Sequence, residues 1–170
     1  DITDFAGRTI SGEATITWLP KLANVNTIPF DLLGFNIQSV EVNQQNAAYT
    51  YNDSLLRVQL PQPYPVGDTQ QITIRYSGSP AIDQSGWGGF YFSGGYAFNL
   101  GVGFDAKPHN FGRAWYPCFD NFKERATYSM FIETQPNHRG SSMGAFIDST
   151  VTANNSIIWH YEMAEPIPTY

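Results

Sequence analysis

A single cysteine, Cys118, stands in the sequence, so no disulfide can close within the chain and the usual staple of small exported scaffolds is missing. That count by itself assigns no redox compartment. Nowhere do apolar residues run for the roughly 20 positions that carry a helix across a bilayer, and no membrane insertion is expected within this chain. Charge is scarce as well. Nine Lys and Arg against 15 Asp and Glu give a formal net charge of -6, and charged residues make up only 14% of the chain. The few cations are scattered, which leaves no basic stripe for a phosphate backbone or an anionic lipid surface, and nucleic acid is excluded as an expected partner. Also absent is His-Glu-x-x-His, the pair of imidazoles one helical turn apart that holds a catalytic zinc. The three histidines, His109, His138 and His160, are far apart in sequence, and no metal site or cofactor is expected in this chain itself.

What the chain has instead is aromatic residues, 15% of its 170 positions, punctuated by 15 Gly and 11 Pro. This balance favours strands joined by turns over long helices, and the length suits one domain, residues 1–170, with a sizeable core. In "TISGEATITW" the residues Ile10, Gly12, Ala14, Ile16 and Trp18 alternate with polar partners, the period of two of a half-buried strand. The pattern recurs at Val40 and Val42, at Leu56, Val58 and Leu60, at Ile72, Ile74 and Tyr76, at Tyr128, Met130 and Ile132, and at Ile157, Trp159, Tyr161 and Met163. Between them "NQQNAAYTYND" and "PQPYPVGD" carry the Asn, Asp, Pro and Gly chemistry of turns. The expected fold is all-β, with saddle-like twisted antiparallel sheets or a β-sandwich and little helix. One segment breaks the alternation. Over about thirty residues, "DQSGWGGFYFSGGYAFNLGVGFDAKPHNFGR" interleaves glycines and aromatics, and a loop of that length is expected to be functional or to lie against another surface. The chain begins at Asp1 without Met or leader and is rich in Asn, Thr, Ser and Tyr, which together suggest a processed, exported protein (periplasmic, cell-surface or secreted).

Few residues carry chemistry on their own. Cys118 sits between Pro117 and Phe119 with no local base to activate it, and it reads as a small buried hydrophobe. The glycines of "GVGFDA" lack the third glycine and the strand and helix that a dinucleotide loop needs. Asp83, Asp105 and Asp120 fall in turns, where short carboxylates cap backbone amides. His160 is expected to face solvent opposite Trp159 and Tyr161, and His138 belongs to the turn "QPNHRG". Trp87, Phe90, Tyr91, Tyr96 and Trp115 suit either a sugar-stacking platform or a core or buried interface, and the neighbouring glycines, which let backbones approach, favour the second.

The segment "GRAWYPCFDNFKERATYSMFIETQP" resembles one carried by the N-terminal domain of the aminopeptidase N-like zinc metallopeptidases, an Ala-Arg-x-x-Phe-Pro-Cys-Phe-Asp-Glu-Pro pattern followed by Lys-Ala-Thr-Phe. Arg113, Pro117, Cys118, Phe119, Asp120, Ala126 and Thr127 fit it, with Tyr116 and Tyr128 at the two Phe positions and Arg125 at the Lys. "ISGEATITW", "LLRVQLPQPYPVGDTQQITIRYSG", "GGFYFS" and "IIWHYEMAEPIPTY" resemble further stretches of that domain in the same order. The resemblance implies a β-saddle that packs on a thermolysin-like catalytic domain, expected after residue 170. It implies that zinc and the hydrolysis of N-terminal residues from peptides belong to that domain, while this chain is non-catalytic and walls the substrate cleft. Its implied partners are its own downstream catalytic domain and the substrate N-terminus. Arg113, Pro117, Cys118 and Asp120 would then be a structural motif, with Pro117 pinning a turn and Asp120 joined to Arg113, Lys123 and Arg125 in a charge network.

Two departures from the pattern matter. Asn121-Phe122 replaces the family's Glu-Pro, and the position ten before the cysteine, where many members place a Glu or Gln that binds the substrate α-amine, is Pro108. Asp105 or His109 on the same loop are the substitute candidates for substrate binding, and a carboxylate suits an ammonium better, which favours Asp105. Other readings of the same sequence are a stand-alone β-sandwich binding module, for carbohydrate through Trp87, Tyr91 and Trp115, and a scaffold domain of a catalytically inactive relative.

Overall fold

The computed structural model describes residues 1–170 and builds its centre from β-branched and aromatic residues at every second position. Strand β1 (Ile10–Trp18) runs antiparallel to β7 (Gln70–Gly78), with Ile16 opposite Ile72 and Glu13 opposite Arg75. On its other edge β7 pairs with β3 (Asn36–Val42), and the two-residue β4 (Gln45–Asn46) completes a sheet of order β1-β7-β3-β4. A second antiparallel sheet, in the order β2-β6-β5, comprises β2 (Thr27–Asp31), β6 (Leu55–Gln59) and β5 (Tyr49–Tyr51).

Alternation then decides which side is dry. Val40, Val42, Ile72, Ile74 and Tyr76 from the first sheet form one core with Ile28, Phe30, Leu56 and Val58 from the second, closed by Leu32 and Phe35. Full burial of each such side chain contributes about 1.5–3 kcal/mol. The opposite face of the first sheet carries Arg75, whose Nε lies 2.6 Å from Glu13 and Nη1 2.8 Å from Glu41. These exposed pairs set register more than stability. At the rim of the core, the Tyr51 hydroxyl donates to the Leu32 carbonyl at 3.0 Å and accepts the Phe35 N–H at 3.1 Å. Tyr51→Phe leaves both backbone groups unpaired, and urea unfolding is expected to read a loss of about 1–3 kcal/mol. A midpoint unchanged from the parent would mean that water replaces the hydroxyl.

The sheet formed by β10 (Ala126–Thr134), β11 (Ala145–Val151) and β12 (Ile157–Ile167), ordered β10-β12-β11, adds no residue to the fully buried part of that core. Tyr161 is buried there, with its hydroxyl donating to the Gly140 carbonyl at 3.0 Å. The only helical element is a single 3-10 turn, Gly112–Ala114. The all-β expectation with antiparallel sheets and little helix therefore holds.

Two local expectations fail for physical reasons. The stretch "NQQNAAYTYND", read as a turn, contains β4 and β5, whose residues are mostly exposed and so leave no buried period to detect. β11, for which the sequence offered no expectation, is hidden for the same reason, since all seven of its residues are exposed. The glycine-aromatic segment, read as a loop, contains the hairpin β8 (Gly89–Ser93) and β9 (Tyr96–Leu100), turned at Gly94 and Gly95 with φ of 59° and 82°. Positive φ at both turn positions is what a two-residue hairpin demands. Its alternation was hidden because both faces carry aromatics: Phe90 enters the core while Tyr91 and Phe98 stack at 5.4 Å.

Candidate functional site

The run around Cys118 organises the region where the resemblance placed function. Its backbone docks on the end of β2: Asp31 N–H donates to the Cys118 carbonyl at 2.8 Å, Cys118 N–H returns to the Asp31 carbonyl at 3.2 Å, and Asp120 N–H reaches the Asp31 carboxylate at 3.0 Å. Pro117 and Cys118 are buried under these contacts. Burial pushes the Cys118 thiol well up, with Asp120 and Asp31 acting in the same direction and Arg113 opposing. A protonated, inaccessible thiol is no nucleophile.

Asp120 is 2% exposed and uses both carboxylate oxygens. Oδ1 accepts from Gly112 N–H at 3.2 Å and from the Thr169 hydroxyl at 2.7 Å. Oδ2 accepts from Arg113 N–H at 3.2 Å and from Arg113 Nη1 at 2.7 Å. The carboxylate thus caps the 3-10 turn and neutralises the one cation folded over it. Arg113 also donates to the Asn110 carbonyl at 3.0 Å and lies over the Phe111 ring at 5.2 Å. The expected charge network is smaller than the sequence suggested. Lys123 and Arg125 are exposed and make no ion pair with Asp120, because Asn121, standing where the family has Glu, turns the chain outward by capping the amides of Lys123 and Glu124.

On this frame stands a loop closed at its base by Phe111 N–H donating to Gly101 O at 2.9 Å and Gly103 N–H donating to His109 O at 2.9 Å. Both sequence candidates sit on it. Asp105 is exposed, and its backbone N–H donates to buried Asp83 at 3.1 Å. Its carboxylate makes no hydrogen bond or ion pair within the chain, so a fixed backbone presents an uncommitted negative charge. His109 is exposed too, with Nδ1 3.1 Å from the Gly103 carbonyl. Asp83 does the anchoring. Burial alone would raise its carboxyl, but the Ser85 hydroxyl and the amides of Asp105, Ser85 and Ala106 outweigh that and hold it below the usual carboxylate range. Glycine is required where this loop meets the hairpin. A Cβ at Gly88, which has φ of 111°, would fall 2.4 Å from the Val102 carbonyl oxygen.

The aromatic candidates separate. Trp87 and Phe104 are 52% and 62% exposed and stack at 6.1 Å beside Asp105. Tyr91 is half-buried with its hydroxyl 3.0 Å from the carbonyl oxygens of Gly86 and Gly88, and Trp115 packs half-buried on Phe90 and Tyr116. Trp87, Tyr91 and Trp115 therefore do not share one open platform. His160, expected in solvent, is half-buried because its cross-strand neighbour Phe131 stacks on it at 4.3 Å while Nε2 lies 2.8 Å from Glu162. His138 stacks on Phe5 at 4.4 Å. Sequence reasoning missed Asn110 and Thr169 as parts of the site. Thr169 was marked only by its place in a resembling segment and Asn110 only by its place in the glycine-aromatic segment, since neither type is distinctive alone.

No three His, Cys, Asp or Glu side chains converge on a point where a metal ion would sit, and the donor set does not fit zinc. What fold and site define is an all-β domain that presents a rigidly based loop with an exposed carboxylate, Asp105, beside the stacked rings of Trp87 and Phe104. Residues 2–170 match the family described as the Peptidase M1 N-terminal domain, and the chain belongs to that family. Among solved structures it is similar to a mutant M1 zinc metallopeptidase from Deinococcus radiodurans bound to a Tyr-Ser-Ala substrate, at 24% identity and a TM-score of 0.85 over 97% of this chain. It is also similar to leukotriene A4 hydrolase from Saccharomyces cerevisiae, at 19% identity and a TM-score of 0.66 over 95% of this chain. The chain spans 37% of the first protein's length and 25% of the second's.

Proposed function

We propose that this chain is the non-catalytic front wall of a zinc-dependent aminopeptidase, packed against a catalytic domain that holds the zinc and hydrolyses N-terminal residues from peptides. The observation that carries the reading is the free carboxylate of Asp105 on a loop whose backbone is fixed from below. A substrate's α-ammonium has the complementary charge, and a charge-assisted hydrogen bond to it would orient the scissile bond and disfavour binding of internal peptide segments. The similar M1 zinc metallopeptidase with its bound tripeptide supports this choice of substrate class.

The test compares the 170-residue chain with the full-length protein on aminoacyl anilides. The short chain is expected to bind no zinc tightly and to give no turnover. The full-length protein is expected to lose activity to a chelator and recover it with zinc. In it, Asp105→Asn should raise KM by about tenfold or more, the worth of a hydrogen bond to a charged group. Turnover by the short chain that tracks bound metal would sink the assignment. The stacked pair of Trp87 and Phe104 keeps a second reading in play, a carbohydrate-binding module. Tryptophan fluorescence quenched by oligosaccharides would favour it over the peptidase reading.

A further inference from the structure

We infer that Asp120 and Thr169 form a positioning clamp that fixes the 101–112 loop, and with it Asp105, to the segment from which the chain continues toward its catalytic domain. The inference rests on the function proposed above for the loop's role, while the clamp itself rests on geometry.

Thr169 lies 49 positions after Asp120, yet the two are joined at 2.7 Å. Asn110, 0% exposed, donates its Nδ2 to the same Thr169 hydroxyl at 3.2 Å. Since that hydroxyl has one proton and gives it to a carboxylate, it can only accept from Asn110, which fixes the orientation of the amide. From the other side the Tyr116 hydroxyl donates to the Thr169 carbonyl at 2.8 Å. Both stems of the loop touch the same segment. A Cβ on Gly101 would lie 2.6 Å from the carbonyl carbon of Tyr170, and one on Gly112 would lie 2.7 Å from the Thr169 carbonyl oxygen. The loop is therefore built directly on Thr169 and Tyr170, and its position relative to whatever follows Tyr170 depends on few intervening bonds.

Asn110 supplies a second observation. Its Oδ1 is fully buried and has no hydrogen-bond partner, although Nδ2 of the same amide is satisfied. Native proteins seldom leave such an acceptor unpaired. An amide this enclosed is out of reach of any segment outside the domain, so the Thr169 hydroxyl is the one side-chain contact that orients Asn110.

Thr169→Val in the full-length protein keeps the side-chain shape and removes the hydroxyl, while Thr169→Ser keeps the hydroxyl. Hydrogen exchange is read at Gly103 and Phe111, whose amides close the loop. With valine, both are expected to exchange about tenfold faster or more, with the amides of β7 unchanged, and serine should restore protection. Tyr116→Phe, a milder cut at the same clamp, should move the same two amides in the same direction. On peptide substrates valine should raise KM with kcat held within about twofold, because the loop orients the amine and does not perform the reaction.

Unchanged exchange at Gly103 and Phe111 in the valine variant overturns the clamp. Acceleration shared equally by β7 also overturns it, since Thr169 would then be a general stability element. Faster local exchange with unaltered kinetics overturns the positioning role. A parent protein that hydrolyses no peptide removes the proposed function instead, and the exchange data still decide the clamp.

Discussion

Replacing Asp120 by asparagine is expected to lower stability by about 3–5 kcal/mol, the usual cost of removing one partner from a buried ion pair. The side chains of Arg113 and Asp120 are 13% and 0% exposed, so the guanidinium would stay largely out of water with no counter-charge. Asparagine keeps the volume but places an amide where one carboxylate oxygen stood, and that amide then faces two of the four donors that converge on Asp120. For a domain of this size the loss corresponds to a fall in Tm of roughly 6–20 °C. Urea unfolding should show the midpoint falling at constant slope. A double-mutant cycle with Arg113→Met separates the pair from the caps. If the second substitution recovers much of the loss, the stranded cation dominates; if it recovers nothing, the amides of Gly112 and Arg113 and the Thr169 hydroxyl dominate. A loss under about 1 kcal/mol in Asp120→Asn would mean that the bridge behaves as a solvated surface pair.

That such a hub exists was legible in the sequence, but its partners were not. A carboxylate beside a buried-reading proline and cysteine, with arginine seven residues earlier, announces a capped turn and a charge to be neutralised. Which distant residue brings the last hydroxyl is a tertiary fact, and Thr169 arrives from the trailing end of β12 without a local signal. The same division runs through the fold. β1, β3, β6, β7, β10 and β12 are written in their periods of two because each has one face against apolar neighbours. β11 lies open on both faces, and the β8–β9 hairpin is aromatic on both, so period and burial lose their correspondence there. The candidate loop illustrates a third case. Asp105 was proposed through the resemblance and the preference of an ammonium for a carboxylate, but its freedom from internal partners and the anchoring of its amide by Asp83 depend on a fold that places residues 83 and 105 in contact.

The other large effect is expected in alkali. Burial raises the phenol of Tyr76, with Cys118 adding to the shift; it raises Tyr116, with Cys118 and Tyr128 adding; and it raises the Cys118 thiol. Each group keeps its proton in the folded chain and releases it near its ordinary value when unfolded, 9.0 for the thiol and 10.0 for the phenols. The stability they contribute is thus complete below those values and lost as pH rises through and beyond them. Above the phenol value, Cys118 and Tyr76 alone should steepen the loss to about 2.7 kcal/mol per pH unit, at about 1.36 for each proton. Because Cys118 raises both phenols, ionising the thiol first relieves neither of them, and the native state should yield as a unit near the core instead of fraying at one tyrosine. Tyrosinate absorbance and far-UV circular dichroism should then change together along a pH titration. Cys118 should stay silent to a thiol reagent until that transition and react throughout it, with Cys118→Ala delaying the onset by removing the earliest proton. Reaction of the thiol at pH 8, in chain that keeps its circular dichroism, would mean that the Cys118 corner opens locally, and the buried motif would then be a mobile element of the domain and not its anchor.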